Sequence, residues 1–250
     1  MRPRILVAGL VVLVLAAATV IVVPIVLATT PEGSDRTAVP ANGTPNLHRT
    51  EEPKSSSGGP VRVAVVGDSL SAGSSGFIGN GLDRGSWMTY AQGGRVEYAG
   101  GWARAGATPE EMAAAVRPVG NVDVLVILAG TNAVRVGATF SQERAAYEEI
   151  VRTIAPRRVI VASIPPYVPN PSGGVRYNRE LRGYVQHRGW HWFDAWRFAR
   201  DGNRWKPGFS TDGVHPGSFA GYRALGRTLR WEIIDQSIGN ADGDDSKGSD

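Results

Sequence analysis

Cysteine is absent from the 250 residues, which excludes a disulfide framework and any thiolate metal site. Histidine is scarce, at four residues. The two that stand four apart, His187 and His191, have Gly189 between them, which interrupts a helix and with it a paired-histidine metal site; His48 lies in a polar, solvated stretch. No charge sign dominates, since 27 Lys+Arg face 23 Asp+Glu for a formal net charge of +4. The basic residues are scattered, and without a basic stripe or a base-reading motif nucleic acid is not the expected partner. No internal repeat is visible. At 42% hydrophobic residues, the chain can bury one core of ordinary domain size and carry appendages.

The appendages are legible at both ends. Residues 5–28 are uncharged and almost wholly apolar behind Arg2 and Arg4. As a helix they would span roughly 36 Å, enough for a bilayer core of about 30 Å. Residues 1–28 therefore read as a membrane-targeting segment. Its length favours a retained anchor, while Val26-Leu27-Ala28 would serve as a cleavage site for a signal peptide. Positive charge before the segment and none after it until Arg36 leaves the amino terminus in the cytoplasm and exports the remainder in either case. Residues 29–60 are rich in Pro, Gly, Ser and Thr, too poor in apolar side chains to offset ordering, and read as a linker. Residues 237–250 read as a disordered acidic tail.

Between them, residues 61–236 alternate strand and helix patterns. Residues 61–66 form a β-branched apolar run that stops at Gly67-Asp68-Ser69-Leu70, as a buried parallel strand would; the glycine is expected to permit a sharp turn. A glycine-rich loop over 72–85 and a short helix over 87–91 follow. Residues 95–99 alternate as a second strand, with 100–107 as a loop. Thr108-Pro109-Glu110-Glu111 supplies an N-cap, a proline at the first helical position and a capping-box glutamate, so a helix should run to about Arg117. Residues 122–128 are a second strongly apolar strand ending at Ala129-Gly130-Thr131-Asn132. Tyr147, Ile150, Val151 and Ile154 mark one helical face. Residues 159–164 are a strand, 177–187 a helix, 192–194 a short strand and 218–234 a final helix. The expectation is an α/β fold, doubly wound and flavodoxin-like: three α/β/α layers on a mainly parallel five-stranded sheet in the order 2-1-3-4-5.

Parallel strands put the turns at Ser69 and Asn132 on one sheet edge, where ligands of open α/β sheets bind. Gly106 lies in the loop after the second strand. A third polar turn, Asp212-Gly213-Val214-His215-Pro216, precedes the last helix. A carboxylate and an imidazole three residues apart can touch, fixing the tautomer while the other ring nitrogen faces a serine. Asp68 is expected to brace its turn rather than act as a base. Trp87, Trp102 and Trp205 stand in loops that could border a site, although packing is the commoner role for such residues.

These blocks together resemble the GDSL, or SGNH, hydrolase family. Gly67-Asp68-Ser69-Leu70 is similar to its nucleophile block, Arg104-Ala105-Gly106-Ala107-Thr108 to its glycine block, Gly130-Thr131-Asn132 to its asparagine block and Asp212-Gly213-Val214-His215-Pro216 to its Asp-x-x-His block. Ala105 and Ala107 depart from the more polar neighbours often seen around that glycine. The resemblance implies Ser69 as nucleophile, His215 as base and Asp212 as its orienting carboxylate. It also implies an oxyanion hole from the Ser69 and Gly106 N–H groups and the Asn132 amide, with no cofactor or metal. No Gly-x-Ser-x-Gly elbow is present, against the α/β-hydrolase fold that carries one. The expected activity is that of an exported esterase acting on O-acetyl or other short acyl groups of envelope carbohydrate or lipid. An acyltransferase with the same triad, or a non-catalytic envelope-binding module, is the alternative.

Overall fold

A computed structural model describes residues 59–78 and 82–238. The targeting segment, nearly all of the linker and the acidic end of the tail lie outside the described residues. Strand β1 (Val61–Gly67) is buried from Val63 to Gly67, because neighbouring strands flank it and helices cover both its faces. The sheet adds β2 (Val96–Ala103), β3 (Val124–Leu128), β4 (Arg158–Ala162) and β5 (His191–Phe193) in the order β2-β1-β3-β4-β5. Every pairing is parallel, as the expected fold requires.

Alternate side chains of β1 serve opposite layers. Val63 and Val65 pack towards Met88 on α2 (Met88–Ala91) and towards Leu225, Leu229 and Ile233 on α7 (Phe219–Ile238). Ala64 and Val66 face Met112 on α3 (Pro109–Ala115), Tyr147 on α5 (Phe140–Ile154) and Leu181 on α6 (Pro171–His187). Each fully buried Leu, Ile or Val contributes about 1.5–3 kcal/mol. Two short helices complete the edge that carries the polar turns: α1 (Ser69–Ala72) directly after β1 and α4 (Thr131–Arg135) directly after β3. The capping box at Thr108 is present, with the hydroxyl accepting from Glu111 N–H and the Glu111 carboxylate from Thr108 N–H.

Several boundaries differ from those read in the sequence. Residues 100–103 continue β2 instead of opening a loop. Gly100 and Gly101 take positive φ at a register shift against Val63 and Ala64, and a Cβ at Gly101 would overlap the Val65 carbonyl. Ala99 is thus the unpaired residue of a strand bulge, and the two glycines after it resume the pairing with Ala64 and Val65. Helix α6 begins at Pro171, six residues before the apolar pattern starts, because Asn170 caps it by accepting from Gly173 N–H at 3.0 Å. A small antiparallel hairpin, β6 (Arg200–Asp201) and β7 (Arg204–Trp205), went unrecognised. The tryptophans pack. Trp87 is fully buried with Nε1 donating to Ser71 Oγ at 2.9 Å. Trp205 stacks on Phe209, and Trp102 meets Phe77 edge-on.

Candidate active site

The carboxyl ends of β1 and β3 deliver the site. Gly67 ends β1, and its role is not the sharp turn the sequence suggests. A Cβ there would lie 2.5 Å from Ser71 Oγ and 2.8 Å from the Leu128 carbonyl. The position therefore demands the absence of a side chain, so that β1 can lie against β3 as α1 starts. Asp68 caps α1, its Oδ1 accepting from Leu70 N–H at 3.1 Å. Ser69 is then the first helical residue.

Ser69 Oγ lies 2.8 Å from His215 Nε2, across 146 residues of chain. His215 Nδ1 lies 2.7 Å from Asp212 Oδ2. The carboxylate holds the ring proton on Nδ1, which leaves the Nε2 lone pair to accept from the serine hydroxyl. Asp212 is itself held by its other oxygen, which accepts from His215 N–H at 2.7 Å and Val214 N–H at 2.8 Å. Burial pushes the Asp212 carboxyl up, but hydrogen bonds from the His215 backbone and ring and from Val214 outweigh it and hold the group down at about 2. It stays ionised throughout the neutral pH range.

The three donors expected of an oxyanion hole follow the carboxyl ends of three neighbouring strands, Ser69 after β1, Gly106 after β2 and Asn132 after β3. Arg104-Ala105-Gly106-Ala107 is a turn closed by Ala107 N–H on the Arg104 carbonyl at 3.1 Å. Gly106 takes φ +80, the left-handed value that the third position of a type II turn requires. The turn is fastened by Ala105 N–H to the Gly76 carbonyl at 2.9 Å and by Arg104 N–H to the Gly67 carbonyl at 3.2 Å. Among the described residues, neither Ser69 N–H nor Gly106 N–H has a protein acceptor, so both remain available to a ligand. Asn132 is buried on α4, and its Nδ2 reaches Asp68 Oδ2 only at 3.5 Å.

Arg135 is the residue that sequence reasoning missed. Its Nε donates to Asn132 Oδ1 at 3.0 Å and its Nη2 to the Gly106 carbonyl at 3.4 Å. The available signal was its place three residues after Asn132 on a helical turn. Asp68 braces its turn as expected. Burial raises its carboxyl to about 6 from an ordinary 3.8, against the lowering effects of the Leu70 N–H bond and the His215 charge. His191 is separate from the site and pairs through Nε2 with Glu232 on α7 at 2.6 Å.

The arrangement supplies a hydroxyl, a base with a fixed tautomer and three unspent or weakly spent donors, which is what addition to an acyl carbonyl needs. A profile of the GDSL-like Lipase/Acylhydrolase family matches residues 65–224, a span that contains all five of these residues. In fold, the chain is similar to a member of the lipolytic protein G-D-S-L family from Veillonella parvula DSM 2008, at 16% identity and TM-score 0.53 over 70% of this chain and 98% of that one. It is also similar to the lipase/acylhydrolase from Enterococcus faecalis, at 18% identity and TM-score 0.53 over 70% and 96%. An acetyl-xylooligosaccharide esterase from Geobacillus Stearmophilus, in a mutant form, aligns at 19% identity and TM-score 0.50 over 70% and 95%. No curated protein sequence matches the chain.

Proposed function

Because the chain belongs to the GDSL-like lipase/acylhydrolase family, we propose that it is a carboxylic ester hydrolase working through an acyl-enzyme on Ser69. His215 Nε2 takes the Ser69 proton as Oγ attacks the acyl carbon. The resulting oxyanion is received by Ser69 N–H, Gly106 N–H and Asn132 Nδ2. Collapse of the intermediate expels the alcohol, which leaves with the proton returned by His215. Water then repeats the sequence on the acyl-enzyme and frees the acid. Asp212 orients the imidazole and stabilises its charged form. The observation that supports this most directly is the unbroken run from Ser69 Oγ through His215 to Asp212 at 2.8 and 2.7 Å.

The substrate in this reading is a short acyl ester, such as O-acetyl, on a bulky alcohol. The His215 and Asp212 side chains are 35% and 52% exposed, so the site opens to solvent and admits a substituent on a large carbohydrate more readily than it encloses a long acyl chain. The uncharged segment at residues 5–28 supports an activity outside the cytoplasm, anchored or released. A fluorophosphonate probe and a panel of para-nitrophenyl esters of rising chain length test the proposal on the whole chain. Labelling and hydrolysis that both vanish in folded Ser69→Ala, with acetate or propionate preferred, support it. Turnover that persists in Ser69→Ala sinks the nucleophile assignment. A second alcohol added to the assay separates hydrolysis from acyl transfer.

A further inference from the structure

A cleft of about 260 Å3 opens between the loop that follows β4, helix α6 and the β6–β7 hairpin. The chemistry at Ser69 makes no use of it. Ile164 and Trp192 contribute apolar surface, and Arg179, Arg182 and Arg200 bring three guanidinium groups against one carboxylate, Asp194. The three arginines are not equivalent. Arg200 is committed: Nε donates to Asp194 Oδ1 at 3.3 Å, Nη2 to the other carboxylate oxygen and Nη1 to the Gly202 carbonyl. Asp194 also accepts from Ser163 Oγ at 3.2 Å, so the one carboxylate is spent within the cleft wall. Arg179 and Arg182, three apart on one face of α6, have no carboxylate partner and no hydrogen-bond acceptor among the described residues.

Their position is fixed by the helix that carries them. Asn178 Oδ1 accepts from Ile164 N–H at 2.9 Å and its Nδ2 donates to the Ile164 carbonyl at 3.0 Å, which pins α6 to the loop after β4. That loop is tied to the Asp212–His215 turn by Val168 N–H on the Gly213 carbonyl at 3.0 Å. The cleft thus stands on the same sheet edge as Ser69, two to three strands away, or about 10–15 Å at the usual strand spacing. Two unpaired guanidinium forks beside apolar surface focus positive potential and match the paired oxygens of a carboxylate or a phosphate.

Resting on the ester-hydrolase reading of the Ser69 site, we propose that this cleft is a subsite for an anionic group on the alcohol half of the substrate, so that the enzyme selects acyl esters of acidic glycans over neutral ones. Acyl transfer stays at Ser69; the cleft only holds the carboxylate or phosphate of the glycan. The test is equilibrium binding of oligogalacturonate, inorganic phosphate and a neutral xylo-oligosaccharide to the whole chain at low salt. It compares wild type with Arg179→Gln/Arg182→Gln and measures para-nitrophenyl acetate hydrolysis on the same samples. The wild type is expected to bind an anion and not the neutral sugar, and the double variant to bind it about tenfold or more weakly. Both should hydrolyse para-nitrophenyl acetate alike, because that ester carries no anionic group to hold. Oligogalacturonate bound more tightly than phosphate identifies a uronate as the source of the charge, and the reverse order identifies a phosphorylated glycan. Anion binding that survives the double substitution, no anion binding, or equal binding of the neutral sugar overturns the subsite. Loss of para-nitrophenyl acetate hydrolysis in the wild type overturns the esterase reading instead, and the binding result still decides the cleft.

Discussion

Arg135 Nε donates to Asn132 Oδ1 at 3.0 Å, and that bond decides which end of the Asn132 amide faces the oxyanion. With Oδ1 engaged, Nδ2 must point the other way, towards Asp68 and the space beside Ser69. The same guanidinium reaches the Gly106 carbonyl, so one exposed side chain spans two of the three parts of the proposed oxyanion hole. Arg135→Ala should lower kcat by about tenfold while KM stays near its wild-type value, as expected when a donor is loosened rather than removed. Thermal midpoints should change little, since the side chain is exposed. An unchanged kcat would mean that burial alone orients Asn132.

Removing the donor is the stronger test. Asn132→Ala should reduce kcat on the order of 10² to 10³, or roughly 2.7 to 4 kcal/mol, because the amide acts where charge develops. Asn132→Asp should be worse, since a carboxylate would repel the oxyanion and stand beside Asp68 as well. A folded Asn132→Ala protein with near-normal kcat and a lowered melting temperature would reassign the residue to a structural role.

Much of this was legible before any coordinates, for physical reasons that differ by element. Ser69 and Asn132 each follow a strand rich in valine, isoleucine or leucine, and such runs are read easily as interior strands. Asp212 and His215 are close in sequence, so their contact needs no tertiary knowledge. Right-handed crossovers between parallel strands fix the layering but admit more than one strand order, so the expected order 2-1-3-4-5 rests on the structure. The pairing of Ser69 with His215 is expected from their polar turns and from the resemblance together, because nothing local connects residues so far apart. What stayed hidden depends on neighbours remote in sequence. Gly100 and Gly101 look like a loop until Val65 is seen against them, and Gly67 looks like a turn glycine until the Leu128 carbonyl is. Nothing in the sequence pattern of the helix singles out Arg179 and Arg182, and only the packing of α6 on Ile164 sets them beside a cleft.

Asp212 offers a prediction in which activity and acid stability separate. Asp212→Asn should leave the imidazole free to take the wrong tautomer and lower kcat on the order of 10³ to 10⁴. The folded carboxyl sits at about 2, below its ordinary 3.8. Its contribution to stability is therefore present above about 4 and lost as the pH falls towards 2. Denaturation of wild type and Asp212→Asn between pH 2 and 4 should show a steeper acid loss in the wild type. Equal slopes would mean that the Asp212–His215 contact does not hold the carboxylate in solution.

Asp68 should behave in the opposite sense and in the neighbouring pH window. Burial raises its carboxyl from 3.8 to about 6, so the fold favours the neutral form. The stability it contributes is complete below about 4 and is lost as the pH rises through about 6. The gap corresponds to an upper bound of about 3 kcal/mol. Glu143, also raised by burial, acts in the same direction, and for that reason the decisive quantity is a difference. Asp68→Asn retains an oxygen for the Leu70 N–H and cannot ionise. Urea unfolding from pH 4 to 7 should therefore show a decline in the wild type that is reduced in the variant, with the curves diverging between about pH 4 and 6 and running parallel above. Parallel curves across the whole range would mean that burial does not raise the Asp68 carboxyl in solution, so that it already stands ionised beside the Asn132 amide below pH 6.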